Sequence, residues 1–217
     1  MVLICILLIP VLIILFLRGF GQNKYDIPVF FEQGVEDPFG TCDYPEGEQH
    51  YIPDFTFVAQ DGSERGRKEM EGKITIVDFM FTSCPSICPI MSNEMERVQD
   101  AFRSQEAVQI YSISIDPDYD TPSVLAQYAE KYGASPNKWF FLNGSKEVTY
   151  DLVRCGFALP IVDGQGRPDD FVHSDKFILV DGKGRIRGYY SGTEREGVDK
   201  LILETKILLY GMEEDNS

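Results

Sequence analysis

Apolar positions along the chain are organised around one stretch, Ile74 to Phe102. Ile74–Phe81 (ITIVDFMF) is dense in apolar, β-branched and aromatic residues, the composition of a strand buried on both faces of a sheet. The period then changes. Met91, Met95, Val98 and Phe102 fall on one helical stripe. Between the two patterns stand Cys84 and Cys88, each followed by a proline, so two thiols sit where a central strand hands over to a helix. Open α/β sheets place their working sites at such ends. Proline lacks a backbone donor and is best tolerated at the first helical position. Pro89 is therefore expected to open the regular helix, leaving Cys84–Cys88 as an irregular turn before it.

The remaining elements follow from the same patterns. Phe55–Ala59 with the Asp61-Gly62 turn reads as the start of a hairpin. Val108–Ile115 is a strand ended by Asp116-Pro117, and Thr121-Pro122 caps a helix that runs to about Tyr132 and stops at Gly133. Trp139–Leu142 is a short buried strand; Ser145 caps a helix with Val148, Leu152 and Cys155 on one face. On that stripe Cys155 is expected as a small core residue, although a disulfide with Cys42 stays open, since sequence does not establish pairing. Lys176–Val180, a tight Asp181–Gly184 turn and Arg185–Tyr190 form a hairpin, and Val198 to about Leu209 is an amphipathic helix. This order predicts an α/β fold: a mixed sheet of four to five strands with helices on both faces. Cysteines after the first long strand and a closing hairpin before the last helix make the layout thioredoxin-like.

Met1–Leu17 (MVLICILLIPVLIILFL) is almost wholly apolar, and Arg18 follows without an A-x-A cleavage pattern. Seventeen residues is short for a membrane span but long for a signal-peptide core, and an uncleaved single-pass anchor is expected over 1–17, with a cleaved signal peptide as the alternative. Cys5 within it carries no chemistry. Residues 18–47, rich in Pro and Gly and containing Cys42, read as a tether; 48–212 is the folded domain and 213–217 an acidic tail. His50 has no cysteine or second histidine beside it and is expected at the surface rather than as a ligand. The net charge of −15, with Lys and Arg interspersed among acids, argues against nucleic acid and for a soluble exposed domain.

The chemistry lies in the thiols. Partial positive charge at a helix N-terminus favours thiolate. Two thiolates four residues apart can close a small disulfide ring or grip a soft metal ion, of which Cu(I) is the best match; the alternative is a pair of inert structural cysteines. His173 precedes the hairpin strand, and in a thioredoxin-like layout that entering loop lies against the cysteine turn. A neutral imidazole there can complete a three-coordinate site.

The segment Phe81-Thr82-Ser83-Cys84-Pro85-Ser86-Ile87-Cys88-Pro89 resembles the signature of the SCO/SenC family, copper-binding assembly factors of cytochrome c oxidase. Ser114-Ile115-Asp116-Pro117 with Asp120-Thr121-Pro122, Trp139 with Phe141-Leu142, and His173 ahead of Phe177–Asp181 match the same pattern in order. The likeness covers roughly residues 52–210. It implies Cys84, Cys88 and His173 as copper ligands, and a domain facing the periplasm or its equivalent from the inner (cell) membrane. Many members carry Asp just before the histidine; Val172 stands here, with Asp170 and Asp175 nearby, which puts a supporting role for that acid in doubt. Two functions fit: a chaperone that helps load the binuclear copper centre of the oxidase, and a thiol–disulfide reductase that keeps the oxidase's copper-site cysteines reduced. The implied partners are the copper-bearing oxidase subunit and a copper donor or thiol reductant. A peroxiredoxin-like peroxidase is disfavoured because positions 76–83 hold no proline, and a generic thioredoxin-like oxidoreductase because Ser174-Asp175-Lys176 holds none. A pair poised between disulfide and metal-bound dithiol belongs outside the cytoplasm, although Arg18 and Lys24 beyond the apolar run favour the opposite orientation.

Overall fold

The strand Ile74–Met80 is buried at every position, as its composition requires, and the architecture is laid out from it. The computed structural model describes residues 9, 11–16, 27–35, 42, 44, 47–159 and 174–215. The elements are β1 (Thr56–Ala59), β2 (Glu64–Gly66), β3 (Ile74–Met80), α1 (Ile87–Ala101), β4 (Val108–Ser114), α2 (Pro122–Lys131), β5 (Trp139–Asn143), α3 (Lys146–Asp151), β6 (Lys176–Val180), β7 (Ile186–Ser191) and α4 (Arg195–Asp215). They form one mixed sheet of order β2-β1-β5-β4-β3-β6-β7. β3 runs parallel to β4, from Ile74 opposite Val108 to Met80 opposite Ser114, and antiparallel to β6, with Thr75 opposite Val180 and Val77 opposite Ile178.

The sheet has seven strands rather than the four to five expected. The N-terminal hairpin does not stand apart: β1 joins the edge of β5 through Val58–Asn143 and Ala59–Leu142. So short an edge contact leaves almost no trace in a periodicity. The two faces are built from alternate residues. On one, Trp139 stacks on Phe141, Phe141 meets Tyr128 of α2, and Ser92 of α1 bonds the Tyr128 hydroxyl; α4 joins α1 through the Arg97–Asp199 ion pair. On the other, Phe79 meets Phe157 edge-on at 5.2 Å, bringing the segment after α3 against the sheet. The expected caps are present, with Thr121 Oγ1 accepting from Val124 N and Ser145 Oγ from Val148 N. Gly133 takes φ +61 where α2 ends, a conformation that costs glycine little.

Part of the segment expected as a tether lies on the domain. Ile27 is buried, Phe30 N donates to Ile186 O, and the Arg187 guanidinium donates to the carbonyls of Ile27 and Pro28. Cys42 is bonded to Cys155, which settles the pairing that sequence left open and displaces the core assignment of Cys155. The reason is a change of helical register. After Asp151 the chain forms a π-helical turn, Leu152–Gly156, so the Val148–Leu152–Cys155 stripe breaks: Leu152 is buried, Val148 exposed and Cys155 half-buried. His50 is likewise half-buried, its Nε2 2.8 Å from Gly156 O and its ring edge-on to Phe31 and Tyr44. α4 continues to Asp215, past the expected end near Leu209 and into the expected tail, because glutamate is a strong helix former.

Among the described residues, no helix is long and apolar enough to cross a membrane. Residues 11–16 are helical and expose their apolar side chains; the rest of the expected anchor, residues 1–8, 10 and 17, lies outside the described residues, as do His173, Val172 and Asp170.

Candidate metal centre

β3 delivers the chain through buried Phe81 to a tight turn closed by Cys84 N donating to Phe81 O at 3.2 Å. α1 begins at Ile87, two residues before the position expected from Pro89, so Cys88 lies inside its first turn. Pro89 is accommodated there because first-turn N–H groups have no intrahelical acceptor to lose. Ser86 precedes the helix without capping it, and its Oγ lies 3.9 Å from Cys84 Sγ. Of the backbone N–H groups at this helix start, those of Ser86 and Cys88 act on the Cys84 sulfur. Both cysteines are free thiols, with 5% and 3% of their surfaces exposed.

Their acidities differ. Burial pushes the Cys84 thiol up, but hydrogen bonds from the backbone of Cys88 and Ser86, and then from their side chains, outweigh it and hold Cys84 below the ordinary thiol value. Cys88 is pushed up to about 12, by burial first and by the neighbouring charges of Cys84 and Asp78, against a backbone bond from Phe81. The pair thus offers one thiol that ionises more readily than usual and one that holds its proton until a metal or a disulfide displaces it. Asp78, on β3 and 4% exposed, is pushed up to about 7 by burial, opposed by the Ser112 hydroxyl, which donates to it at 2.6 Å. Ser112 in turn accepts from Trp139 Nε1 at 2.8 Å. A second acid, Asp120 in the loop after β4, receives Thr82 N at 3.1 Å, two residues ahead of Cys84.

The structure brings Cys84 and Cys88 together; His173 lies outside the described residues. The chain leading into β6 does arrive at the right end of the sheet, because β6 is antiparallel to β3 and therefore begins beside the end of β3 that carries the thiols. Among the described residues no group of three ligating side chains forms. Asp175 is held by Ser191 Oγ at 2.9 Å and Lys176 Nζ at 2.8 Å. Asp78 and Asp120 were not singled out by sequence reasoning. A lone acid inside an apolar strand was the available signal for Asp78; Asp120 stood in the Asp120-Thr121-Pro122 segment that matches the family pattern, but no role was read for it there.

This fold and pair define a class: thioredoxin-like domains that carry a reduced Cys-x-x-x-Cys dithiol where a central strand meets a helix. Within it the match is specific, since the SCO1/SenC family profile aligns with residues 44–206. The chain belongs to the SCO1/SenC family. It is 31% identical to the SCO1 protein homolog of Bacillus subtilis (strain 168) over 80% of this chain and 86% of the relative. A solved structure of BsSco, a member of the Sco family of cytochrome c oxidase assembly proteins in which a disulfide switch was identified, superposes with TM-score 0.64 at 29% identity, covering 81% of this chain and 98% of that one. Copper-bound ScoI of Arabidopsis thaliana superposes with TM-score 0.59 at 25% identity, covering 74% and 99%.

Proposed function

We propose that the chain binds one copper ion as cargo through Cys84, Cys88 and His173 and delivers it to the copper-bearing subunit of cytochrome c oxidase during assembly. The observation that carries this is the pair of buried free thiols of unequal acidity at the start of α1. Two sulfurs and an imidazole form a soft donor set suited to Cu(I). Binding would release the Cys88 proton, so affinity should rise with pH. The copper found in ScoI of Arabidopsis and the role of BsSco in oxidase assembly support the same reading for this chain.

The acidity difference also supports a second reading, a thiol–disulfide reductase. In it Cys84 thiolate attacks a partner disulfide, Cys88 resolves the mixed disulfide, and two electrons and two protons pass to the partner's cysteines. For location, we propose an N-terminal anchor over residues 1–17 with the domain on the extracytoplasmic side. The closed Cys42–Cys155 bond supports this, as do the exposed apolar side chains of helical residues 11–16.

The test is an anaerobic Cu(I) titration against a competing chelator. The chain used must include Cys42, and Cys84→Ser, Cys88→Ser and His173→Ala are compared with the parent. One tightly held copper per chain, lost in both serine variants and markedly weakened in His173→Ala, is expected. Weak binding indifferent to His173 would leave a dithiol redox protein and overturn the copper site.

A further inference from the structure

We propose that Asp120 is a positioning residue that clamps the turn carrying Cys84 through Thr82 and holds the pair in its dithiol form; this rests on reading Cys84 and Cys88 as the working pair. Asp120 is fully buried. Its Oδ1 accepts from Thr82 Oγ1 and, at 3.3 Å, from Thr82 N; its Oδ2 accepts from Thr82 N at 3.1 Å and from Ser114 Oγ at 2.6 Å. Its own backbone is pinned from two sides, with N donating to Asp116 O at 2.9 Å and O accepting from Asn143 Nδ2 at 2.6 Å. Ser114 closes β4 and Asn143 closes β5, so the carboxylate is fastened to the sheet. Among the described residues, its grip outside the β4–β5 end is Thr82.

Among the described residues, no lysine or arginine pairs with this carboxylate. A buried carboxylate held only by neutral donors is a costly way to join two loops, whereas an apolar contact would serve stability alone. What the charge supplies is orientation: both donors of Thr82 point to one group, which fixes that residue's backbone and side chain together. One residue, Ser83, then separates the fixed point from Cys84, and Cys84 N is itself tied back to Phe81 O. The clamp is observed while both sulfurs are free thiols. In this proposal, closing a Cys84–Cys88 bond draws the turn against the clamp, so releasing Thr82 favours the disulfide.

The reaction that reads this is exchange with glutathione. Cys84 and Cys88 thiols plus one oxidised glutathione give the Cys84–Cys88 disulfide and two reduced glutathiones, with two electrons and two protons passing to glutathione. The full chain is equilibrated in glutathione buffers without metal, and the state of Cys84 and Cys88 is read by alkylation and peptide mass. Thr82→Val removes one charge-assisted bond and should move the constant toward disulfide roughly tenfold, about 30 mV for a two-electron couple. Thr82→Ser should restore it to within about twofold, and Asp120→Asn should shift it at least as far as Thr82→Val. A purely structural role would lower the unfolding midpoint and leave the constant in place. The proposal is overturned if Thr82→Val stays within about twofold of the parent, or if Thr82→Ser shifts as far as Thr82→Val. Should Asp120→Asn fail to fold, the valine–serine pair at this half-buried loop position decides. Because no copper is present, failure of the copper site leaves this outcome readable.

Discussion

Asp78→Asn should make the domain's stability less dependent on pH, and the size can be worked out. The carboxyl is buried in β3 with one donor, the Ser112 hydroxyl, at 2.6 Å. Burial moves it from the ordinary 3.8 to about 7, which corresponds to about 4 kcal/mol. The folded state holds this proton more tightly than the unfolded chain. The resulting stability is therefore full below about pH 4 and is lost as pH rises through about 7. Asparagine keeps an acceptor for Ser112 and cannot ionise. Its amide brings a pH-independent cost of about 1–3 kcal/mol if its hydrogens stay unpaired. That cost cancels when ΔΔG at pH 8 is compared with ΔΔG at pH 4, as do all other titrating groups; Cys88, at about 12, is protonated throughout. Urea unfolding of parent and variant at pH 4, 6 and 8 should show the variant gaining about 4 kcal/mol between the extremes, or about half that if water reaches the site. A change under about 1 kcal/mol, close to the error of extrapolation, would refute the buried ionisation.

Three further outcomes follow from the same geometry. Replacing Cys42 and Cys155 together by Ala opens a loop of sequence separation 113 and should destabilise the domain by about 3–5 kcal/mol. Calorimetry should show this as a midpoint roughly 10 °C lower, with Cu(I) binding retained; an unchanged midpoint would show that the segment around residues 27–31 is held by its hydrogen bonds alone. At pH 7, limited iodoacetamide should modify Cys84 well before Cys88, since one thiol is held below its ordinary value and the other is raised to about 12; equal labelling in peptide maps would contradict that order. Copper affinity of the parent should rise between pH 6 and pH 8 as the displaced proton becomes easier to release, and a flat profile would count against coordination by Cys88.

Much of this protein is decided locally. The Ile74–Phe81 run could only be a central strand, since a strand with apolar residues on both faces must be covered on both. The caps at Thr121 and Ser145 and the turn at Gly184 use residues whose side chains or missing Cβ do the work in place. The two cysteines, four apart between a strand and a helix, were legible as a paired-thiol site for the same reason. Other features depend on distance in sequence. The attachment of β1 to β5, the docking of residues 27–33, the Cys42–Cys155 bond and the Asp120–Thr82 clamp each join segments that no local pattern connects. The unequal acidity of Cys84 and Cys88 is likewise tertiary. It comes from burial and from which N–H groups face which sulfur, and the sequence presents the two thiols as near equals. Local residue chemistry determined the strand, the helix and the thiol pair; packing alone decided which thiol is the more acidic, which cysteines bond and which buried acids lie under the turn that carries the pair.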